Sequence, residues 1–183
     1  MPVQRLILAT DTEISEIVAL MNHAYRGGDA ISGWSHETEY IDGDRTTEPL
    51  LRQDIAANPH ARLLLWRHPS GNLQGCVWLE PLGNDLWYLG SLTVDPAAQN
   101  SGLGRQLLAA AEAWIAAHGG CEIKMTVVNV RHSLIAWYER RGYRLTGQTE
   151  PFPYADPRFG IPKRSDLAFV VLRKPLTRLS ADG

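Results

Sequence analysis

The stretch from Leu89 to Leu108 constrains this chain more than any other. Trp87 to Val94 is dense in aromatic and aliphatic residues, the composition of a buried strand. Asp95-Pro96 ends it, because Pro has no N–H to give a sheet ladder. Apolar residues then recur at Leu103, Leu107, Ala111 and Trp114, the spacing of a helix that begins near Gly102. Between strand and helix lies Gln99-Asn100-Ser101-Gly102-Leu103-Gly104, followed by Arg105. Two glycines at a helix N-terminus let a ligand approach the backbone. The first-turn N–H groups there have no helical partner, and the macrodipole favours negative charge. Arg105 adds a cation, so the segment suits a phosphate or pyrophosphate. Taken alone, the glycines would equally make a tight turn. The chain has no G-x-x-x-x-G-K-[ST] and no G-x-G-x-x-G after a strand, which excludes the usual P-loop and the dinucleotide fingerprint.

Composition narrows the class. A chain of 183 residues suits a single domain, expected over 1–183 with its core from about 3 to about 175. The formal net charge of -2 supplies no basic field for nucleic acid. Cys76 and Cys121 form no C-x-x-C, so buried reduced thiols are expected and no metal site. The N-terminus lacks a signal-peptide pattern, and no apolar stretch is long enough to span a bilayer. A cytoplasmic enzyme or binding protein, with neither nucleic acid nor membrane as partner, fits these bounds.

Along the chain, Val3 to Ala9 reads as a first strand. Thr10-Asp11-Thr12-Glu13 reads as a capping box before a helix with Ile14, Ile17, Val18, Met21 and Tyr25 on one face. Gly27 to Arg45 is a long loop containing Trp34 and Tyr40, and loops of that length are usually functional or mobile. A second helix is expected from Thr47 to about Ala57. Strands follow at Ala61 to Arg67, Leu73 to Glu80 and Leu86 to Val94, with turns at Pro69 to Asn72 and Pro81 to Asn84. Short turns imply an antiparallel meander. The helix from Gly102 runs to His118 and is closed by Gly119-Gly120. It crosses to a strand at Glu122 to Val128, expected parallel to the central one. An amphipathic helix over Ser133 to Arg141, a strand over Tyr143 to Gln148, a loop from Pro151 to Pro157 and a last strand over Asp166 to Arg173 complete the chain. The class is α/β (α+β): one mixed sheet with helices on both faces.

Val94-Asp95-Pro96 and Gln99-x-x-Gly102-x-Gly104 together resemble motif A of the GNAT N-acetyltransferase superfamily, a strand ending in V-D-P, then [QR]-x-x-G-x-[GA], then a helix. Ala136-Trp137-Tyr138 through Gly142-Tyr143 is similar to the family's motif B. The resemblance implies about seven strands, splayed between the fourth and fifth, with acetyl-CoA as cosubstrate. It implies that the loop Gln99, Asn100, Ser101, Gly102, Leu103, Gly104, with Arg105, holds the pyrophosphate. It further implies that the strand Leu92, Thr93, Val94 offers backbone to the pantetheine arm, and that Asn129 contacts the same arm.

Acetyl transfer to an amine needs a polarised carbonyl, a neutral amine and a proton for the leaving thiolate. The Leu92 N–H is the expected carbonyl donor. Tyr138 stands where the family places a tyrosine near the sulfur, and is the expected general acid; core packing beside Trp137 is the bland alternative. Relatives that carry a glutamate on the fourth strand have it where this chain has Tyr88. The base therefore falls to Glu80 on the neighbouring strand, with Glu37, His36 or a water relay as alternatives. Trp34, Glu37, Tyr88 and Tyr154 are expected to shape the acceptor site. Its acidic residues would draw a cationic amine, while Arg26 and Arg45 would clamp a carboxylate. The reading is an N-acetyltransferase acting on a small-molecule or protein amine in a ternary complex, with a non-catalytic acyl-CoA-binding module as the alternative. A homodimer stays open.

Overall fold

A computed structural model describes residues 5–27, 37–98 and 101–177. Its strands are β1 (Ile7–Leu8), β2 (Ile41–Asp42), β3 (Arg62–Arg67), β4 (Leu73–Gly83), β5 (Leu86–Val94), β6 (Glu122–Val128), β7 (Arg144–Pro151), β8 (Ile161–Pro162) and β9 (Ala168–Pro175). Its helices are α1 (Ile14–Arg26), α2 (Glu48–Ala57), α3 (Leu103–Ala117) and α4 (His132–Glu139). Seven strands form one mixed sheet in the order β1-β3-β4-β5-β6-β9-β7, while β2 and β8 pair separately.

Local chemistry sets the ends of the early elements. The Thr10 backbone N–H donates to the Glu13 carboxylate at 2.8 Å, and one 3-10 turn, Asp11–Glu13, leads into α1. The Thr47 hydroxyl accepts from the Leu50 N–H at 3.3 Å and caps α2. Alternation along β3 then sorts the core. Leu63 and Leu65 pack with α1 and with Leu51 of α2. Leu64 and Trp66 face the other way, into the cluster built on α3 and α4. Helices therefore cover both faces.

Several boundaries differ from expectation. Among the described residues of the expected first strand, Ile7–Leu8 form the strand at the sheet edge against β3 and the Ala9 N–H donates to the Leu63 carbonyl, before the chain enters its capping turn at Thr10; residues 3–4 lie outside the described residues. β4 continues through Pro81 to Gly83, and the turn is the residue pair Asn84-Asp85, at φ 52 and 61. Asn and Asp tolerate that left-handed conformation, and the register shift between Pro81 and Gly83 accommodates a proline. β7 runs on to Pro151, on the outer edge where a proline costs no ladder bond to a further strand. The last strand is displaced by two residues, to Ala168–Pro175, and inserts between β6 and β7.

Two irregularities in β5 position the site. Its parallel pairing with β6 spans only Leu86↔Glu122, Trp87↔Ile123 and Tyr88↔Lys124. Beyond that, Met125 to Val128 pair with β9 alone, so the fourth and fifth strands of the main sheet, β5 and β6, part as anticipated. On its other side, β5 pairs Gly90 with Trp78 and Thr93 with Cys76, leaving Ser91 and Leu92 together opposite Val77. This is a β-bulge. Ser91 sits at φ 48, which strains a residue with a Cβ, and the Thr93 hydroxyl donates to the Ser91 carbonyl at 2.9 Å to hold the kink.

Candidate active site

The gap between β5 and β6 opens into a cavity of about 310 Å³. Tyr88 to Leu92 form one wall and Met125 to Val128 the opposite one. The end of α1 contributes Tyr25 and Arg26, the following segment Glu37, Ile41 and Arg45, and α4 Tyr138. Phe152, Phe159 and Phe169 close it from the late chain.

α1 ties its end to the bulge. The Tyr25 hydroxyl, buried, donates to the Leu92 carbonyl at 3.0 Å. Burial raises the Tyr25 phenol above its ordinary pKa, so it stays a donor. Arg45 reaches the same corner, where its Nη2 donates to Ser91 Oγ at 3.3 Å and its guanidinium lies 5.3 Å from the Tyr25 ring centre. Glu37 is 7% exposed and carries two guanidinium groups. Arg26 donates to its Oε2 from Nη2 at 2.9 Å and from Nε at 3.3 Å. Arg131 donates to its Oε1 at 3.4 Å.

Tyr138, 5% exposed, lies with its ring edge-on to Trp137 and Tyr143, at 5.1 and 5.6 Å. It also lines the cavity. Its hydroxyl makes no hydrogen bond with a described residue. Desolvation by burial, more than the neighbouring Tyr25, pushes its phenol well up from the usual value. At the base of the motif, Gly102 takes φ 79 as the N-cap of α3, a conformation suited to glycine. The first bond of the helix runs from the Gln106 N–H to the Gly102 carbonyl at 3.1 Å. The N–H groups of Leu103, Gly104 and Arg105 are thus unused by the helix. Ser101 donates to the Ala98 carbonyl and tightens the loop.

The remaining expected residues divide. Leu92, Glu37 and Tyr88 join Tyr138 at the cavity, whereas Thr93 and Val94 are fully buried outside its lining. Glu80 is the cross-strand partner of Tyr88, but it stands outside the lining, and its carboxylate accepts from the Trp78 indole N–H at 3.2 Å. Asn129 is engaged at both ends of its amide. Its Nδ2 donates to the Asp166 carbonyl at 2.9 Å, and its Oδ1 accepts from the Ala168 N–H at 3.1 Å. It stitches the end of β6 to the start of β9. The Tyr154 hydroxyl accepts from the Leu167 N–H at 2.7 Å, outside the lining. Gln99, Asn100, Trp34 and His36 lie outside the described residues. Sequence reasoning gave no site role to Tyr25, Ser91, Arg131 or Phe169; the local signal beside Ser91 was Gly90 inside a strand, a frequent mark of a bulge. Among the described residues no His, Cys, Asp and Glu cluster of three or more is placed to hold a metal. Cys76 is buried and its thiol pushed up to about 12, which leaves it unreactive.

Comparison with known proteins supplies the deciding observation. The model of the acetyltransferase (GNAT) family matches residues 28–143, most of the chain, including β5, the glycine loop after it and α3. The chain belongs to the GNAT family. As such it is an acetyl-CoA-dependent N-acetyltransferase. A search of curated proteins returns no significant match. Solved structures share the GNAT fold at low identity. A phosphinothricin acetyltransferase from Sinorhizobium meliloti, in complex with AcCoA, is 14% identical with a TM-score of 0.68, over 98% of this chain and 92% of that one. The ribosomal-protein-S18-alanine N-acetyltransferase from Escherichia coli is 15% identical with a TM-score of 0.65, over 99% of each chain. Nourseothricin acetyltransferase is 22% identical with a TM-score of 0.54, over 65% of this chain and 67% of that one.

Proposed function

We propose that the whole chain, as one cytoplasmic domain, transfers the acetyl group of acetyl-CoA to an amine by direct attack in a ternary complex. The observation that carries this is the parting of β5 from β6 at Tyr88↔Lys124, with a cavity in the gap. A strand edge that loses its partner has N–H and C=O groups to offer, and an extended amide-bearing arm can take them as an added strand. Leu92 supplies its N–H, its carbonyl already accepting from the Tyr25 hydroxyl. The α3 N-terminus, from Ser101 to Arg105 together with Gln99 and Asn100, holds the pyrophosphate. Asn129, whose amide also ties β6 to β9, contacts the same arm with the N–H and lone pair that those bonds leave.

In the transfer the amine nitrogen forms a bond to the thioester carbonyl carbon and the C–S bond breaks. The Leu92 N–H bonds the carbonyl oxygen as charge gathers on it. The Tyr138 hydroxyl donates to the departing sulfur. Its raised pKa favours hydrogen bonding to the thiolate over full proton transfer, since an unperturbed thiol titrates at about 8.5. The amine proton leaves through water toward Glu80.

Tyr138→Phe tests this. Turnover, followed by thiol release, should fall about 10- to 150-fold, the range for one lost hydrogen bond to a charged group, while acetyl-CoA affinity stays within about twofold. Unchanged turnover would remove Tyr138 from the reaction.

A further inference from the structure

Three guanidinium groups meet at one end of the cavity, and the described residues offer them one carboxylate. Arg26 and Arg131, with side chains 5% and 9% exposed, share Glu37. Glu150, also at the cavity, is paired with Lys124 at 2.8 Å. Arg45 has no carboxylate of a described residue within ion-pair distance. Its contacts are the Ser91 hydroxyl and the Tyr25 ring. A guanidinium held against a sheet with no counter-ion is costly, and a ligand anion relieves that cost. Its planar fork matches a carboxylate.

We infer that the acceptor is an α-amino acid with an apolar or aromatic side chain, whose carboxylate is held by Arg45. This rests on the reading of Leu92 as the place of transfer. Arg45 touches Ser91, the residue next to Leu92. A carboxylate seated there lies close to the reacting carbonyl, so the attacking amine must be a neighbour of that carboxylate, as in an α-amino acid. A polyamine would bring a second cation to a corner already rich in them. Tyr88, Phe152 and Phe169 give the side chain its apolar wall.

The test uses matched pairs: phenylalanine with phenethylamine, and leucine with 3-methylbutylamine. Each is offered to the wild-type protein, Arg45→Gln and Arg45→Lys, with thiol release as the readout. Acetyl-CoA binding is measured by calorimetry, and folding by thermal melting. In the wild type the acid of each pair should lead its amine by more than about tenfold in kcat/KM. Arg45→Gln should raise KM for the acids about 10- to 150-fold, collapsing that lead, the effect of one lost charge-assisted bond. Arg45→Lys should recover part of it. Amines used as well as acids, or a lead that survives in Arg45→Gln, would overturn the proposal. So would silence on every pair, and acetyl-CoA binding then separates two cases. Normal binding leaves the acetyltransferase reading standing with another acceptor class, and absent binding removes the reading beneath it.

Discussion

Replacing Glu37 by Gln tests the charge arrangement at the cavity. Glu37 is 7% exposed, and its carboxylate accepts from Arg26 at 2.9 Å and from Arg131 at 3.4 Å. Gln keeps the shape and one acceptor oxygen but removes the charge that two largely buried guanidinium groups share. Removing one partner of a buried ion pair costs about 3–5 kcal/mol, because the remaining charge stays desolvated. In a protein of this length each kcal/mol moves the melting temperature by roughly 2–4 °C, so a fall of about 6–20 °C is expected. Differential scanning calorimetry at low and high salt measures it. The loss should persist in high salt, because ions of the solvent reach buried charges poorly. Arg131→Gln is the control. It leaves Glu37 and Arg26 as a one-to-one pair and should cost less. A loss for Glu37→Gln below about 1 kcal/mol, or one erased by salt, would refute the reasoning, since that is the behaviour of a solvated surface pair.

Tyr25→Phe removes the donor from the Leu92 carbonyl, and unfolding in urea should show a loss of about 1–2 kcal/mol with turnover reduced at unchanged acetyl-CoA affinity. Gly102→Glu forces a side chain onto φ 79 and sets a carboxylate at the α3 N-terminus. Calorimetry should show acetyl-CoA affinity reduced at least about tenfold, while unchanged affinity would mean the pyrophosphate lies elsewhere. Glu13 and Glu16 are held below the usual carboxylate value of 4.5. The Thr10 backbone N–H leads for Glu13, and the Arg67 guanidinium for Glu16. A lowered folded pKa contributes stability above the unfolded value and loses it as pH falls through the folded one. Arg67→Gln should therefore melt lower than wild type at neutral pH, and the difference should shrink as pH falls below about 4.5. A constant difference from pH 7 to pH 3 would show that Arg67 stabilises by packing alone.

Legibility in the sequence followed the range of the forces involved. Thr10 and Glu13, Thr47 and Leu50, and Gly102 ahead of Leu103 and Leu107 are signals within one helical turn, and the helices begin where those residues place them. The parallel order of β5 and β6 was also readable, because a helix between two strands carries the chain back to the starting edge. The insertion of β9 between β6 and β7 was not, since it rests on register such as Arg144↔Arg173 and Val128↔Phe169 that only a folded sheet defines. Asn129 shows the same division. Its position after β6 was plain, but the partners of its amide, at Asp166 and Ala168, lie nearly forty residues on.

The sequence by itself determined the family and the fold class, because V-D-P, the glycine pair and the helix after them are contiguous and their chemistry is local. Only the tertiary structure decided what the cavity presents to an acceptor. Tyr25 bonding Leu92, Arg45 bonding Ser91 at the bulge, and the sharing of Glu37 by Arg26 and Arg131 join α1, the segment after it, β5 and the start of α4. Charges from distant segments become coupled when folding removes the water that would have screened them.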